Sequence, residues 1–239
     1  MEKRCILITG TIVQNVAVAK PEDPEARRQA YLANLKYYSD NLDDPIFFLE
    51  NSTYSFDDDL EFKILFRDDK IKLIKFPISG GVSQGKGFQE FEMLDRAVKN
   101  LSGTYSSFIK ISGRYQYINI NDLINNSSSE FTIDLIKRRR AAITSIFWVT
   151  FDFYEKYLKN IYKKVNDLNG NYIELIIYRL IMDNALLDSV RFFDVQPMVD
   201  IITQNEKKKK NSLYPLKISA ANIERKLLRL LFINELYHK

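Results

Sequence analysis

Residues 4–13, RCILITGTIV, are the stretch of sequence that decides the fold. The apolar run is typical of a buried strand, and the Thr-Gly pair at 9–10 predicts a loop at its end. A broad apolar face over residues 25–41 predicts a helix, and PIFFLENS at 45–52 predicts a second buried strand. Together they predict a βαβ unit, in which a right-handed crossover places the two strands parallel.

The rest of the sequence continues this alternation. Residues 60–66 and 71–76 fit either two short strands or a helical piece followed by a strand. Beyond them the pattern predicts a helix at 88–101, a strand at 106–112, a sheet strand at 143–151, helices at 153–166 and 171–187, a strand near 190–195 and a helix at 219–237. We therefore expect an α/β fold with a mostly parallel central sheet and helices on both faces.

Length and composition bound the class of protein. The 239 residues suit one domain over 1–205, followed by a basic linker and an amphipathic helix over 206–239. No stretch approaches the about 20 apolar residues that span a bilayer, and no secretory leader is recognisable, so we expect a cytoplasmic protein. The net charge of +4 is too mild to indicate a nucleic-acid partner.

Histidine and cysteine chemistry is nearly excluded. The sequence contains one cysteine, Cys5, and one histidine, His238. This leaves no disulfide, no Ser-His-Asp triad and no cluster of histidines for a metal. Acid–base chemistry must then come from carboxylates, tyrosines or lysines.

Polar and small residues close three of the predicted strands. Ligands of open α/β sheets bind beyond the carboxyl ends of the strands, where the ends of parallel strands meet. We expect one crevice with these donor-binding candidates: Thr9, Gly10 and Thr11; Glu50 and Asn51, followed by Ser52; and Lys110, Ser112, Gly113, Arg114 and Tyr115. An arginine suits bidentate binding of phosphate and a tyrosine can stack on a ring, but turns, solvated strand ends and ion pairs explain the same residue types.

A glycine-bearing turn precedes the helix at 88–101. In Gly85-Lys86-Gly87, backbone N–H groups and the positive end of the helix dipole can face a phosphate, and Lys86 adds a charge. Glu90 follows inside the helix. The motif is weak by itself and does not match the Walker pattern.

Four of these segments, in this order, resemble the nucleotide-binding half of GT-A glycosyltransferases. They are ILITGT at 6–11, FFLENS at 47–52, GKGFQEFEMLDRAV at 85–98 and FIKISGRY at 108–115. KG-x-x-E followed by FIKISGRY is similar, more specifically, to bacterial enzymes that build capsular or lipopolysaccharide glycans. FWVTFDFYEKYL at 147–158 and GNYIEL at 170–175 extend the similarity, which covers about residues 4–195.

The resemblance implies a GT-A-like, Rossmann-like fold and the transfer of a sugar from a nucleotide-sugar donor to a hydroxyl of a growing surface glycan. It also implies that the acidic residue closing the second strand, here Glu50, contacts the nucleoside. The loop and helix that begin at Gly85 would then lie by the diphosphate of the donor.

One departure from the family pattern concerns metal. GT-A enzymes commonly close a central strand with Asp-x-Asp, which holds a divalent metal, whereas this strand ends in Ser112-Gly113-Arg114. Asp57-Asp58-Asp59 has the spacing but comes too early, soon after the second strand, and we interpret it as a solvated acidic loop. We therefore expect no required cofactor and no metal ligand, with Arg114, Lys110 or Lys86 offsetting the charge of the leaving group.

The resemblance also implies a catalytic base at the start of a helix beyond the central strand. Glu174 in Gly170-Asn171-Tyr172-Ile173-Glu174 occupies such a place, although a carboxylate favoured by the helix dipole fits equally. Asp152 is the second catalytic candidate, and Asp194 is a lesser one.

The basic C-terminal region leaves two interpretations open. The helix at 219–237, preceded by Lys207–Lys210, can pack on the domain or on a second subunit of a homodimer. Alternatively, it can lie on the inner membrane surface, where lipid-linked glycan acceptors are found. For the whole chain, a sugar nucleotidyltransferase and a non-catalytic nucleotide- or partner-binding module are the alternatives to a glycosyltransferase.

Overall fold

The computed structural model describes residues 3–15, 22–125, 129–183, 186 and 189–200. Its strands are β1 (Arg4–Gly10), β2 (Ile46–Glu50), β3 (Ile71–Lys75), β4 (Ser107–Ser112), β5 (Phe131–Thr132), β6 (Leu135–Ile136), β7 (Ala141–Ala142), β8 (Ile146–Thr150) and β9 (Val190–Arg191). Its α-helices are α1 (Pro24–Asn41), α2 (Leu60–Leu65), α3 (Lys86–Leu101), α4 (Ile120–Asn125), α5 (Phe151–Phe153) and α6 (Ile173–Asp183). The predicted helix at 219–237 and the boundary at 205 lie outside the described residues.

The described strands form a seven-stranded sheet in the order β3-β2-β1-β4-β8-β5-β9, and β6 pairs with β7 separately. β3, β2, β1 and β4 are parallel, whereas β8 runs antiparallel to both of its neighbours. Thr9 pairs with Ser112 and Gly10 with Glu50, so β1, β2 and β4 end at one edge, hereafter the carboxyl edge. The predicted mostly parallel sheet is confirmed.

Both faces of the sheet are covered, which explains why β1 is apolar throughout. Cys5 and Leu7 point into a core shared with α3 and α6, whereas Ile6 and Ile8 point into a core shared with α1. All four side chains are fully buried. Burial of an isoleucine or leucine side chain stabilises a fold by about 1.5–3 kcal/mol, so this strand anchors both layers.

The ambiguous region after β2 is a helix followed by a strand. Asp59 caps α2 by accepting hydrogen bonds from the backbone N–H groups of Glu61 (3.1 Å) and Phe62 (3.2 Å). Its carboxylate also binds Arg28 of α1, with N–O distances of 2.6 and 2.8 Å. A cap, an ion pair and the burial of Phe62 among other rings select the helix.

The single helix predicted at 153–166 is wrong. The segment contains the end of α5, a π-helical turn at Tyr154–Leu158, a left-handed residue at Asn160 (φ 63°) and a 3-10 turn at Ile161–Lys164. Asp95 of α3 causes the break, because its carboxylate accepts from the Tyr154 hydroxyl and from the Asn160 N–H, each at 2.7 Å. Asparagine tolerates this backbone conformation better than most residues.

Two other predicted boundaries were too generous. The helix predicted from residue 171 begins at Ile173, and the strand predicted near 190–195 is limited to Val190–Arg191. No described helix is both long enough and apolar enough to cross a bilayer.

Candidate active site

A cleft of about 250 Å³ opens at the carboxyl edge, among the ends of β1 and β4 and the first turns of α3 and α6. The predicted site residues that line it are Thr9, Gly10, Thr11, Lys86, Glu90, Ser112, Gly113, Arg114, Tyr115 and Glu174. Residues that the sequence analysis missed also line it, namely Gln14, Arg27, Tyr31, Gln89, Met93, Thr144 and Ser145. The structure thus brings together the ends of the first and third predicted strands.

Arg27, near the start of α1, holds the loop that follows β1. Its Nε donates to the carbonyl oxygens of Thr11 (2.8 Å) and Ile12 (3.2 Å), and its Nη2 donates to the Tyr31 hydroxyl (3.0 Å). Its Nη1 lies 3.2 Å from the Glu22 carboxylate. The side chain is nearly fully buried, so these bonds fix a guanidinium in the wall of the cleft.

The carboxylate of Glu50 serves the loop rather than the cleft. It is fully buried and accepts hydrogen bonds from the backbone N–H groups of Ile12 (3.1 Å) and Ser52 (3.0 Å). The Ser52 hydroxyl and the Lys75 ammonium also donate to it. With these partners, Glu50 ties the end of β2 to the loop after β1 and does not line the cleft.

Two more predicted site residues do not reach the cleft. Asn51 accepts a hydrogen bond of 2.7 Å from the Thr11 hydroxyl and supports the β1 loop from behind. Asp152 follows β8, whose last residue, Thr150, pairs with Ser107 at the start of β4. Because β8 is antiparallel to β4, Asp152 lies at the edge of the sheet opposite to the cleft.

The start of α3 is already capped. Gly85 adopts a left-handed φ of 109°, and a Cβ there would lie 1.9 Å from the Asp167 carboxylate, so glycine is required. Asp167 Oδ2 accepts from the Lys86 N–H at 2.9 Å. The helix N–H groups that were predicted to face a phosphate therefore bind Asp167, while the Lys86 side chain lines the cleft.

Gly87 acts through packing. A Cβ at this position would lie 2.8 Å from Ile173 Cγ2 and 3.1 Å from Ile173 Cβ. The missing side chain lets the first turns of α3 and α6 approach closely. This approach places Glu174 of α6 on the same cleft as Lys86 of α3.

Lys110 lies beneath the floor of the cleft and is fully buried. Its ammonium donates to Ser112 Oγ (2.7 Å) and to the Thr144 carbonyl (2.6 Å), and it lies 2.7 Å from Glu90 Oε1. Burial lowers the pKa of Lys110, and Glu90 opposes that effect. An ammonium has three protons, and these three partners accept them. Lys110 thus organises the floor rather than facing a ligand.

Glu90 is the ionised carboxylate of the floor. Burial alone raises its pKa, but Lys110 and hydrogen bonds from Thr9 and Ser112 outweigh burial, so the pKa lies below its usual value. The Thr9 hydroxyl donates to Glu90 Oε1 at 2.5 Å and that of Ser112 at 3.0 Å. The side chains that close β1 and β4 are thus joined through one carboxylate.

Glu174 has the opposite electrostatic character. Burial and the nearby charge of Glu90 raise the pKa of its carboxyl group. The Thr144 hydroxyl donates to Glu174 Oε1 at 3.2 Å, and the carbonyl of the same residue binds Lys110. Two carboxylates whose pKa values are pushed in opposite directions indicate a division into a fixed charge and an acid or base.

Three cationic side chains approach the mouth of the cleft. Burial, followed by repulsion from Arg114 and Arg27, lowers the pKa of Lys86. Arg114 Nη1 binds the carboxylate of Glu22. The cations and the two glutamates share a single cavity, an arrangement that can bind an anion and move a proton.

The donor atoms at the end of β4 do not suit a divalent metal. Ser112 and Arg114 offer a hydroxyl and a guanidinium, and the carboxylates that they contact, those of Glu90 and Glu22, are bound by the Lys110 ammonium and by Arg27 and Arg114. Divalent metals such as Mg²⁺ prefer carboxylates and water. Across the described ranges, no group of three or more His, Cys, Asp or Glu side chains is placed to hold a metal ion.

Comparisons with known proteins show which solved structures share this architecture. No protein-family profile and no curated protein matches the chain. Among solved structures, the glycosyltransferase GlyE of Streptococcus pneumoniae TIGR4 is similar with a TM-score of 0.50 and 12% identity, over 81% of this chain and 45% of GlyE. A proposed nucleotide-diphospho-sugar transferase from Desulfovibrio desulfuricans G20 matches with the same TM-score and identity, over 94% of this chain and 98% of that one.

The chain has a GT-A-type fold. Its sheet order and its structural neighbours agree with the fold that the sequence resemblance implied. The chain spans less than half the length of GlyE, and at 12% identity the similarity concerns the fold alone.

Proposed function

We propose that the chain is a glycosyltransferase that moves a sugar from a nucleotide-sugar donor to an acceptor hydroxyl. The observation that carries this proposal is one cleft, at the carboxyl edge of a GT-A-type sheet, that holds cations together with two carboxylates of opposite pKa shift. Ligands of open α/β sheets bind at this edge. The pairing of cations with a candidate base is what transfer from a diphosphate donor requires.

The donor phosphates would lie between the β1 loop and the mouth of the cleft. Gly10 lines the cleft, although its missing side chain makes room for Phe48, since a Cβ there would lie 2.5 Å from Phe48 Cε2. Lys86 and Arg114 supply charge from α3 and from the end of β4. Arg27 extends the predicted set, because its guanidinium is fixed in the same wall. Positive charge at this place would stabilise the nucleoside diphosphate as it leaves.

Glu174 would act as the base that removes the proton of the acceptor hydroxyl. A raised pKa brings a carboxylate closer to the working pH and makes it a stronger proton acceptor. Glu90, held ionised by Lys110, would instead supply a fixed negative charge beside the developing positive charge of the sugar ring.

We further propose that transfer needs no bound metal, since Ser112-Gly113-Arg114 takes the place of an Asp-x-Asp sequence at the end of β4 and Lys86 adds a second cation from α3. The acceptor would be a growing surface glycan, free or linked to lipid, as the resemblance of the KG-x-x-E and ISGRY segments implies. We also propose a cytoplasmic protein that contacts the inner membrane surface or a second subunit through residues 206–239. These residues lie outside those that the structure describes.

The experiment that tests this function is a thermal-shift panel of UDP-, GDP-, CMP- and dTDP-sugars, followed by a transfer assay with the donor that binds. A ligand at 100 times its dissociation constant stabilises the native state by about 2.7 kcal/mol, which is readily seen as a rise in melting temperature. Absence of a shift with every donor would refute the proposal.

A further inference from the structure

One carboxylate stands between the two arginines at the mouth of the cleft. Glu22 Oε2 lies 3.2 Å from Arg27 Nη1, and Arg114 Nη1 donates to the same oxygen. The Glu22 side chain is 45% exposed, whereas that of Arg27 is 5% exposed. A single acidic oxygen thus joins a buried cation of α1 to a cation at the end of β4.

Arg27 is held independently of Glu22, whereas the Glu22 carboxylate binds only through the two arginines among the contacts described. Hydrogen bonds to Thr11, Ile12 and Tyr31 hold the guanidinium whether or not the carboxylate is present. Glu22 lies ahead of α1; its backbone N–H donates to Gln14 Oε1 (3.1 Å), and its carboxylate accepts from the two arginines. Because it is half exposed, its return to solvent costs little.

Glu22 leaves the cluster with an excess of positive charge. Arg27, Lys86 and Arg114 carry three positive charges, against one negative charge on Glu22 and one on Asp167, whose carboxylate binds the Lys86 N–H. Burial and repulsion from both arginines lower the pKa of Lys86, while Glu22 and Asp167 oppose that effect. A ligand with two negative charges, such as the diphosphate of a nucleotide-sugar, would relieve this repulsion better than one carboxylate can.

We propose that Glu22 is an internal stand-in for the donor diphosphate, which displaces it from Arg27 and Arg114 on binding. The inference rests on the proposed function, since it takes the donor to be a nucleoside diphosphate sugar. It assigns Arg27 to the diphosphate site and makes Glu22 a competitor for that site. Removal of its charge must therefore strengthen binding of a diphosphate, whereas removal of a residue that merely orients the arginines would weaken it.

The test is isothermal titration of inorganic pyrophosphate, UDP and GDP into the full chain and into Glu22→Gln, with Glu25→Gln as the matched control. Glu25 is a carboxylate on the first turn of α1 that pairs with Arg28 and does not line the cleft. We expect Glu22→Gln to bind pyrophosphate and the preferred nucleotide roughly two- to tenfold more tightly, as the loss of two partly exposed ion pairs implies. Glu25→Gln should bind like the unmodified chain.

The outcomes separate the two proposals. Equal or weaker binding by Glu22→Gln, with binding by the unmodified chain intact, overturns the stand-in and leaves the donor site standing. An equal gain in Glu25→Gln also overturns it, because the effect would then be the general loss of a negative charge. No binding of any probe to either protein overturns the donor site itself. The double variant Glu22→Gln/Arg114→Gln should show a smaller gain than Glu22→Gln shows alone.

Discussion

Two strand ends at the same edge of the sheet carry polar residues and use them differently. At the end of β2, Glu50 is saturated by backbone N–H groups, a hydroxyl and an ammonium, and it lies outside the cleft. At the end of β4, Ser112 donates to Glu90 of α3, and Glu90 and Glu174 of α6 line the cavity with pKa values shifted in opposite directions. The carboxylate at the strand end is thus structural, whereas those that face the cavity come from helices packed beside the sheet.

The largest effect should follow from loss of the proposed base. We expect Glu174→Gln to lower kcat by roughly 10²- to 10⁴-fold, because an amide cannot accept the acceptor proton. A transfer assay with the donor found by thermal shift measures this loss. The control is Asp152→Asn at the opposite edge, which should keep full activity, and the reverse pattern would exchange the two catalytic assignments.

Replacement of Glu50 should lower the stability of the fold rather than remove a catalytic group. Glu50→Ala removes the shared acceptor of the buried Ile12 and Ser52 N–H groups and of the Lys75 ammonium. We expect the free energy of unfolding to fall by about 3 kcal/mol in urea titrations. A fully stable Glu50→Ala protein with weakened nucleotide binding would show that Glu50 contacts the nucleoside after all.

Removal of a cation should weaken binding. Arg114→Ala is expected to weaken nucleotide binding roughly ten- to hundredfold, or by about 1.4–2.8 kcal/mol, since it removes a charged partner of the phosphates. Calorimetric titration of the folded variant measures the change. The control is Arg28→Ala, which removes an arginine of α1 that binds Asp59 and does not line the cleft; this variant should leave affinity unchanged.

The raised pKa of Glu174 should also make its contribution to stability depend on pH. The pKa of Glu174 is raised in the folded protein, so its contribution is present below the unfolded pKa and is lost as the pH rises through the folded value. The stability of Glu174→Gln, compared with that of the unmodified chain, should therefore increase as the pH rises from 4 to 7. Urea titrations at both pH values check the sign, and an opposite trend would mean that Glu174 is stabilised in its charged form.

The smallest expected effect concerns metal. Transfer should survive EDTA with little change, because Ser112-Gly113-Arg114, rather than an Asp-x-Asp sequence, stands at the end of β4. The measurement is the rate before and after chelation, then with Mn²⁺ or Mg²⁺ restored. Complete loss that either metal reverses would favour a nucleotidyltransferase or a metal-dependent transferase.

The sequence pattern predicted those parts of the fold that depend on residues close together in the chain. The apolar runs of β1 and β4 predicted the parallel sheet, and the ends of these strands, with the glycine-bearing start of α3, predicted about half of the residues that line the cleft. Arg27 and Asp167 were missed because nothing local marks them: Arg27 is one of many charges on a helix, and Asp167 caps a helix 81 residues away. Long-range contacts of the same kind, through Asp95, broke the helix predicted at 153–166.

The contact between Gly87 and Ile173 sets how closely the first turns of α3 and α6 approach each other. Lys86 precedes this contact on α3 and Glu174 follows it on α6, and both line the cleft. The distance between the Lys86 side chain and the proposed base Glu174 therefore depends on the missing side chain of Gly87. We expect a larger residue at position 87 to push the two helix starts apart and to lengthen that distance without altering either charged group.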